Sequence, residues 1–360
     1  MQSRARKFFA ALRTVAVVVG VTLVLDFAVT LFIPAKLLDS WLAARERDAA
    51  VYDRTVAWHH EIRPNLDLER LWGATRYRFR SDAHGHRTGA CAGDVDAPLF
   101  QGRTVFVVGD SFTQGLGVTF EDSVAGLLAC AYRDAGFSAR NLGTTSYSPV
   151  IYHCRIADAA RRTGVRPSEI VLFLDISDIH NDANDYIEVD GRVKSGPPSI
   201  GRRIKDFLKR NFTSVSVVLE LRERYEVHLA PPYAVTGNPL SRWTVDPALQ
   251  QAWARRGLEV AGRNLDRLVA LCREWGCRLT LVVYPWPDQL FAGDRNSLQV
   301  THWRDWSATR DVRFVDAFGP FFERPAEQAV RDWYIPGDIH FNEAGNRRLF
   351  EAVWPLVAPR

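Results

Sequence analysis

The chain has 360 residues, room for one large domain or two small ones, and its 47% hydrophobic and 24% charged residues are those of a globular protein. That balance excludes disorder or low complexity as its overall state. The formal charge of +4 is concentrated in residues 1–13, where Arg4, Arg6, Lys7 and Arg13 stand without an acid; the nearly neutral remainder does not point to nucleic acid as a partner.

From 14 to 33 the chain reads TVAVVVGVTLVLDFAVTLFI, interrupted by one charge, Asp26. A helix of that length spans about 30 Å, the thickness of a bilayer core. With the cations of 1–13 on its cytoplasmic side, it is expected to be an uncleaved signal-anchor, a single transmembrane helix in the inner (cytoplasmic) membrane. Everything after Pro34 then lies on the periplasmic or extracytoplasmic side. A cleaved signal peptide is the rival, but its apolar region runs only about 7–15 residues and IPAKLLDSW offers no small-x-small site. Asp26 costs about 2.5–3.5 kcal/mol at mid-membrane. Two readings stand for it: it faces a partner helix, or a strongly apolar segment tolerates one protonated carboxyl.

Residues 34–100 read as a juxtamembrane lead-in, with alternation over Thr75–Phe79 predicting a strand and Ser81–Gly85 a turn. From 101 to 360, apolar runs alternate with helical patterns. Strands are expected at 104–110, 139–143, 169–176, 278–285 and 312–318, and helices at 121–136, 150–164, near 248–275 and at 342–357. This alternation predicts an α/β fold with a parallel sheet covered on both faces, and ligands in such sheets bind outside the carboxyl ends of the strands. The stretch 186–277 is longer than one crossover. Its part at about 186–250 reads as an insertion forming a lid or substrate wall, with flexible loops at Gly191–Gly201 and Ala230–Pro239.

VVGDSFTQGLG places Ser111 at the turn out of the first of these strands, where backbone N–H groups point towards an oxyanion. Glycines 109, 115 and 117 fit neither GxGxxG nor GxxxxGK, and Asp110 directly before Ser111 excludes GxSxG. PGDIHFN, just before the last helix, offers Asp338 and His340 two apart, a spacing that in extended chain points both to one side. Asp338 orienting the imidazole, and His340 taking the Ser111 proton, would make a nucleophilic triad.

With these residues the chain resembles the SGNH (GDSL-type) hydrolase superfamily: GDSFT at 109–113, NLG at 141–143, DISDI at 175–179 and GDIH at 337–340 follow in order across 101–360. The resemblance implies a flavodoxin-like three-layer α/β/α sandwich with Ser111 as nucleophile and Asp338 and His340 as its partners. It also implies oxyanion donors from the backbones of Ser111 and Gly143, plus an Asn side chain after the third strand. Two departures stand out. Asp338 and His340 are two apart where the superfamily usually has three, a spacing similar to the membrane-associated branch that includes alginate O-acetylation proteins. The Asn-Asp pair after the third strand is replaced by Ser177-Asp178, so Ser177 through its hydroxyl, or Asn181 from the same loop, is the expected substitute.

The activity so implied is hydrolysis of acyl esters through an acyl-enzyme, with no metal and no cofactor, on O-acetyl groups of an envelope or extracellular polysaccharide. Two alternatives stay open: an O-acetyltransferase working with a membrane-bound acyltransferase as acyl donor, and a non-catalytic glycan-binding or assembly subunit on the same fold. Other chemistry-bearing residues are read as structural. His59-His60 and His84-x-His86 lack a matching carboxylate cluster, and Asp182, Asn184 and Asp185 lack the Gly and Glu of a calcium loop. Of the five cysteines, none in a CxxC pattern, Cys272 and Cys277 are a candidate disulfide for an oxidising compartment. Trp286, Trp303 and Trp306 stand either as a sugar platform or as core. The basic segment 202–210 reads as a solvated helix face, with contact to anionic glycan or lipid as its other reading.

Overall fold

The computed structural model describes residues 2–32, 51–91 apart from 56, 73 and 74, 103–196, 200–217 and 237–359. The chain divides into two compact units, Met1–Ala49 with Pro198–Glu226, and Ala50–Pro197 with Val227–Arg360.

In the first unit one helix covers Gln2–Leu31 and another Ile200–Asn211. Asp26 accepts the backbone N–H groups of Thr213 (3.1 Å) and Ser214 (2.9 Å) and the Ser214 hydroxyl, so it caps the first turn of a helix that begins at Thr213. The donors found for Asp26 come from this chain, at the start of that helix. Among the described residues, no helix is long and apolar enough to cross a membrane. Asp26, with its polar partners, lies within the expected 14–33 span, near the C-terminal end of the helix. The side chains of positions 15, 16, 18 and 19 lie outside the description, as does residue 33.

In the second unit two antiparallel hairpins precede the sheet: β1 (Tyr52–Thr55) with β2 (His59–Ile62), and β3 (Asp67–Trp72) with β4 (Thr75–Arg80). Val51, Ile62, Tyr77 and Phe79 give them a small core of their own. The expected Thr75–Phe79 strand is β4. The main sheet is built from β5 (Thr104–Val108), β6 (Ser138–Asn141) and β7 (Glu169–Phe173). After the hairpin β8 (Tyr186–Val189) and β9 (Arg192–Ser195), it is completed by β10 (Arg278–Val283) and β11 (Arg313–Asp316). Its order is β11-β10-β7-β5-β6, parallel throughout. TVFVV and EIVLF are buried along their whole length, which is why these continuous apolar runs settle in the middle of a sheet covered on both faces. The flanking helices include α1 (Ser111–Gln114), α2 (Val124–Asp134), α3 (Pro149–Thr163), α4 (Arg255–Trp275), α5 (Leu298–Ala308) and α6 (Glu343–Val357).

Taken in chain order the five strands run 2-1-3-4-5 across the sheet, the flavodoxin-like winding, whose switch point lies between β5 and β7. The stretch expected as one insertion is not one body: the β8–β9 hairpin and 239–254 belong to the second unit, while 198–226 belongs to the first. The candidate Cys272–Cys277 disulfide is not formed. Cys91 pairs with Cys130 of α2, whereas Cys154, Cys272 and Cys277 are free thiols. Cys272, in the last turn of α4, and Cys277, before β10, are instead joined through the backbone, the Cys277 N–H donating to the Cys272 carbonyl at 2.9 Å. Trp286, Trp303 and Trp306 are buried in the core, which removes the sugar-platform reading.

Candidate active site

The switch point is where side chains with chemistry collect. β5 ends at Val108, and the chain turns through Gly109 and Asp110 into α1. A Cβ on Gly109 would lie 2.1 Å from Thr113 Oγ1 and 2.8 Å from the Phe173 carbonyl, so only glycine lets the strand end this close to its neighbours. Asp110 caps α1 by accepting the Phe112 N–H at 2.9 Å, and this holds Ser111 at the first position of the helix.

Ser111 Oγ lies 2.8 Å from His340 Nε2, and His340 Nδ1 is hydrogen-bonded to Asp338 Oδ1, which also accepts the His340 backbone N–H at 2.8 Å. The structure thus brings together Ser111, His340 and Asp338 across more than two hundred residues of chain. Asp338 Oδ2 accepts a further donor, the indole N–H of Trp72 at 3.0 Å. Phe112 packs against the His340 ring at 4.6 Å between centroids. Burial alone would lower the pKa of His340, but the Asp338 carboxylate outweighs it, with Asp110 and Asp175 adding to the effect, and the net direction is upward. Asp338 moves the other way: burial would raise its carboxyl, and the His340 charge and hydrogen bonds bring it below its ordinary value.

The expected oxyanion donors fare differently. The N–H of Ser111 sits in the first turn of α1. Gly143 N–H, by contrast, donates to Asn141 Oδ1 at 2.8 Å, and a Cβ there would meet Gln114 N at 2.6 Å. Gly143 is therefore a close-packing residue beneath the nucleophile's helix. Ser177 donates its hydroxyl to Asp175 Oδ1 at 2.6 Å and its N–H to the same oxygen at 2.8 Å. Asn181 donates to Asp185 Oδ2 at 2.8 Å. These three donors are engaged inside the fold because the residues they bond sit only two or four positions away in the chain.

What the motifs did not announce is a buried group of three acids. Asp110, Asp175 and Asp178 each offer a carboxylate oxygen, and these oxygens lie within 4.8 Å of one another. Asp110 and Asp175 each stand two residues beyond the end of a neighbouring strand, β5 and β7, and that placement is the signal that would have found them. Their oxygens are largely occupied by protein donors: Ser111 Oγ on Asp110, Trp286 Nε1 on Asp175 and Tyr152 Oη on Asp178. Burial, then Asp175, pushes Asp110 up to about 7; burial also raises Asp175 and Asp178. Neighbouring carboxyls in an apolar site hold protons in this way.

The remaining candidates are structural. His59 and His60 join through their Nδ1 atoms at 2.8 Å, and His60 Nε2 donates to the Thr145 carbonyl, also at 2.8 Å. Burial lowers the pKa of His60 to about 4. His86 is buried against Asp82, at 3.1 Å. Asp182 caps α3 through Ser148 and Val150 and accepts from Asn264, while Asn184 accepts from Arg256.

Fold and side chains together define an α/β protein with a serine–histidine–aspartate relay at the switch point of its sheet. No family model matches the chain, and no curated protein matches it. Solved structures similar to it include TesA, at 18% identity over 71% of this chain and 98% of that one, with a TM-score of 0.39. A catalytic mutant of the acetylxylan esterase Axe2 from Geobacillus stearothermophilus matches at 14% over 73% and 98%, TM-score 0.40. A GDSL-like lipase from Bacteroides thetaiotaomicron matches at 10% over 71% and 87%, TM-score 0.36. The second of these is named an esterase and the third a GDSL-like lipase; at such scores the likeness carries no argument for the chemistry of this chain.

Proposed function

We propose that this chain is a serine-dependent acyl-ester hydrolase of the SGNH type. The observation that carries the reading is Ser111 Oγ at 2.8 Å from His340 Nε2, with Asp338 on the far side of the same ring. Ser111 Oγ attacks the ester carbon as its proton passes to His340 Nε2. Asp338 holds the imidazole in the tautomer that accepts this proton and stabilises the imidazolium that results. Collapse of the tetrahedral intermediate breaks the bond to the alcohol, which takes the proton from His340 and leaves an acyl-enzyme. Water then repeats the steps and releases the acid. The N–H of Ser111, at the helix N-terminus, is the oxyanion donor assigned.

The substrate we favour is an O-acetyl group on an envelope or extracellular polysaccharide. The extracytoplasmic side is supported by the basic, then apolar, sequence of 1–33 and by the Cys91–Cys130 disulfide, a bond that persists in oxidising compartments. On this reading 14–33 anchors the chain in the inner membrane. The acyl-transfer alternative loses one motive, because Asp26 finds its partners within the chain.

The test is labelling of the full-length chain with a fluorophosphonate, together with turnover of 4-nitrophenyl acetate and of an acetylated polysaccharide. The wild type is expected to be labelled at Ser111 and to release acetate, and Ser111→Ala to lose both by about 10⁴-fold or more. A folded wild type that is neither labelled nor active overturns the reading in favour of a non-catalytic subunit.

A further inference from the structure

We propose that Trp72, which lies outside the sandwich on β3, is a positioning residue of the triad: its indole N–H holds the outer oxygen of Asp338 so that the inner one faces His340. This rests on the hydrolase reading above. The two oxygens of Asp338 are divided between two tasks, Oδ1 taking both N–H groups of His340 and Oδ2 taking Trp72 Nε1 at 3.0 Å. The terminal torsion of an aspartate is broad and roughly two-fold. A donor on the outer oxygen removes that freedom, as the outer partners of metal-bound histidines do for their ligands. The indole also stands edge-on to the imidazole, 5.6 Å between centroids at 88°.

The position of Trp72 is enforced from both sides. A Cβ on Gly117 would come within 3.3 Å of Trp72 Cδ1 and 2.3 Å of Ile335 Cδ1, so the indole lies where the loop after α1 meets the turn leading to Asp338. The segment that carries Trp72 also grips the nucleophile's helix. Arg87, fully buried, donates to the carbonyls of Gln114, Gly115 and Val118. The Gln114 amide donates to Tyr52 Oη at 2.8 Å, and Cys91 is bonded to Cys130 of α2. Residues 51–91 thus form a strap that touches both halves of the relay.

Three carboxyl groups face His340: Asp338 from its own loop, Asp110 ahead of α1 and Asp175 beyond β7. Trp72→Phe leaves all three in place and removes one neutral donor from Asp338. The carboxylate then bears more charge towards the imidazolium, so His340 holds its proton to higher pH.

The experiment measures kcat and KM for 4-nitrophenyl acetate, and fluorophosphonate labelling across pH, on full-length wild type, Trp72→Phe and Trp72→Ala. The result expected is a kcat about tenfold lower in W72F, KM within about twofold, and the acid limb of the labelling rate moved to higher pH. A W72F that matches wild type while W72A falls shows ring packing alone and overturns the proposal; so does a change confined to KM, which would mark a substrate contact. A wild type that is not labelled at all sinks the hydrolase reading and this proposal with it, an outcome distinct from a labelled wild type matched by W72F. A second measurement does not depend on W72F folding: in Asp338→Asn the indole N–H resonance of Trp72 should shift, and an unmoved resonance overturns the hydrogen bond.

Discussion

The parallel sheet and the strap of hairpins beside it reach the same site with different means. The sandwich supplies the atoms that react, Ser111 just beyond β5 and Asp338 and His340 ahead of α6. The strap supplies donors: Arg87 to three carbonyls, Tyr52 to the Gln114 side chain and Trp72 to Asp338. Reacting groups must stand at the ends of strands and helices, so short local patterns mark them. Supporting donors need only reach and direction, which tertiary packing sets and no local pattern records.

The largest effect that can break this comparison lies in the strap. Arg87 is buried, lies over the rings of Tyr77 and Phe79 at 5.5 and 5.2 Å, and keeps its charge although burial lowers its pKa to about 10. Arg87→Met keeps much of the bulk and leaves three buried carbonyls without their charged donor. The expected cost is about 3 kcal/mol of stability, seen as a lower Tm, with a loss of activity because the end of the nucleophile's helix is no longer held. An Arg87→Met protein with wild-type Tm and turnover would reduce the strap to an accessory.

The division also explains what was legible in the sequence. β5, β7 and β10 are continuous apolar runs and were readable as buried strands, although each ends two or three residues before its expected limit, since the chain beyond it turns to present Asp110, Asp175 and Tyr284. GDS and DIH gave Ser111, Asp338 and His340, which the structure brings together. The motifs imply the Gly143 N–H and the Ser177 hydroxyl as oxyanion donors. The Gly143 N–H goes to Asn141 and the Ser177 hydroxyl to Asp175, because an amide or carboxylate two residues away is the nearer acceptor. Trp72 and Arg87 had no motif. Cys91 and Cys130, thirty-nine residues apart, had no spacing to single them out.

The pH dependence sharpens the comparison, because the charges that set it come from the sandwich. The His340 pKa is raised above 6.5, burial opposing and Asp338 chiefly driving the rise. The base must be neutral to accept the Ser111 proton, so the labelling rate should climb with pH through a limb above 6.5. The stability contributed by protonated His340 runs the other way: it is fully present below 6.5 and is lost as pH rises through the folded value. Asp338→Asn removes the largest raising influence, so the limb should fall to lower pH while the rate drops. A wild-type limb below 6.5 would mean that burial, rather than Asp338, governs the imidazole.

The smallest effect is expected at Ser177. Its hydroxyl is 2.6 Å from Asp175 Oδ1, which also holds the Ser177 N–H, while Asp175 Oδ2 accepts Trp286 Nε1 at 2.7 Å. Removing the hydroxyl leaves Asp175 with two of these three donors and leaves the relay of Ser111, His340 and Asp338 untouched. An oxyanion donor lost elsewhere costs roughly 10²–10³ in rate. Ser177→Ala should therefore lose less than about tenfold in kcat/KM on 4-nitrophenyl acetate, well short of that range. The measured value discriminates because the alternative has a definite size. A loss of a hundredfold or more would mean that the hydroxyl turns from Asp175 to the oxyanion as the ester reacts, and that the loop after β7 is a moving part of the catalytic apparatus. A small loss leaves Ser177 as a strut for Asp175, and the oxyanion to the backbone of the nucleophile's turn.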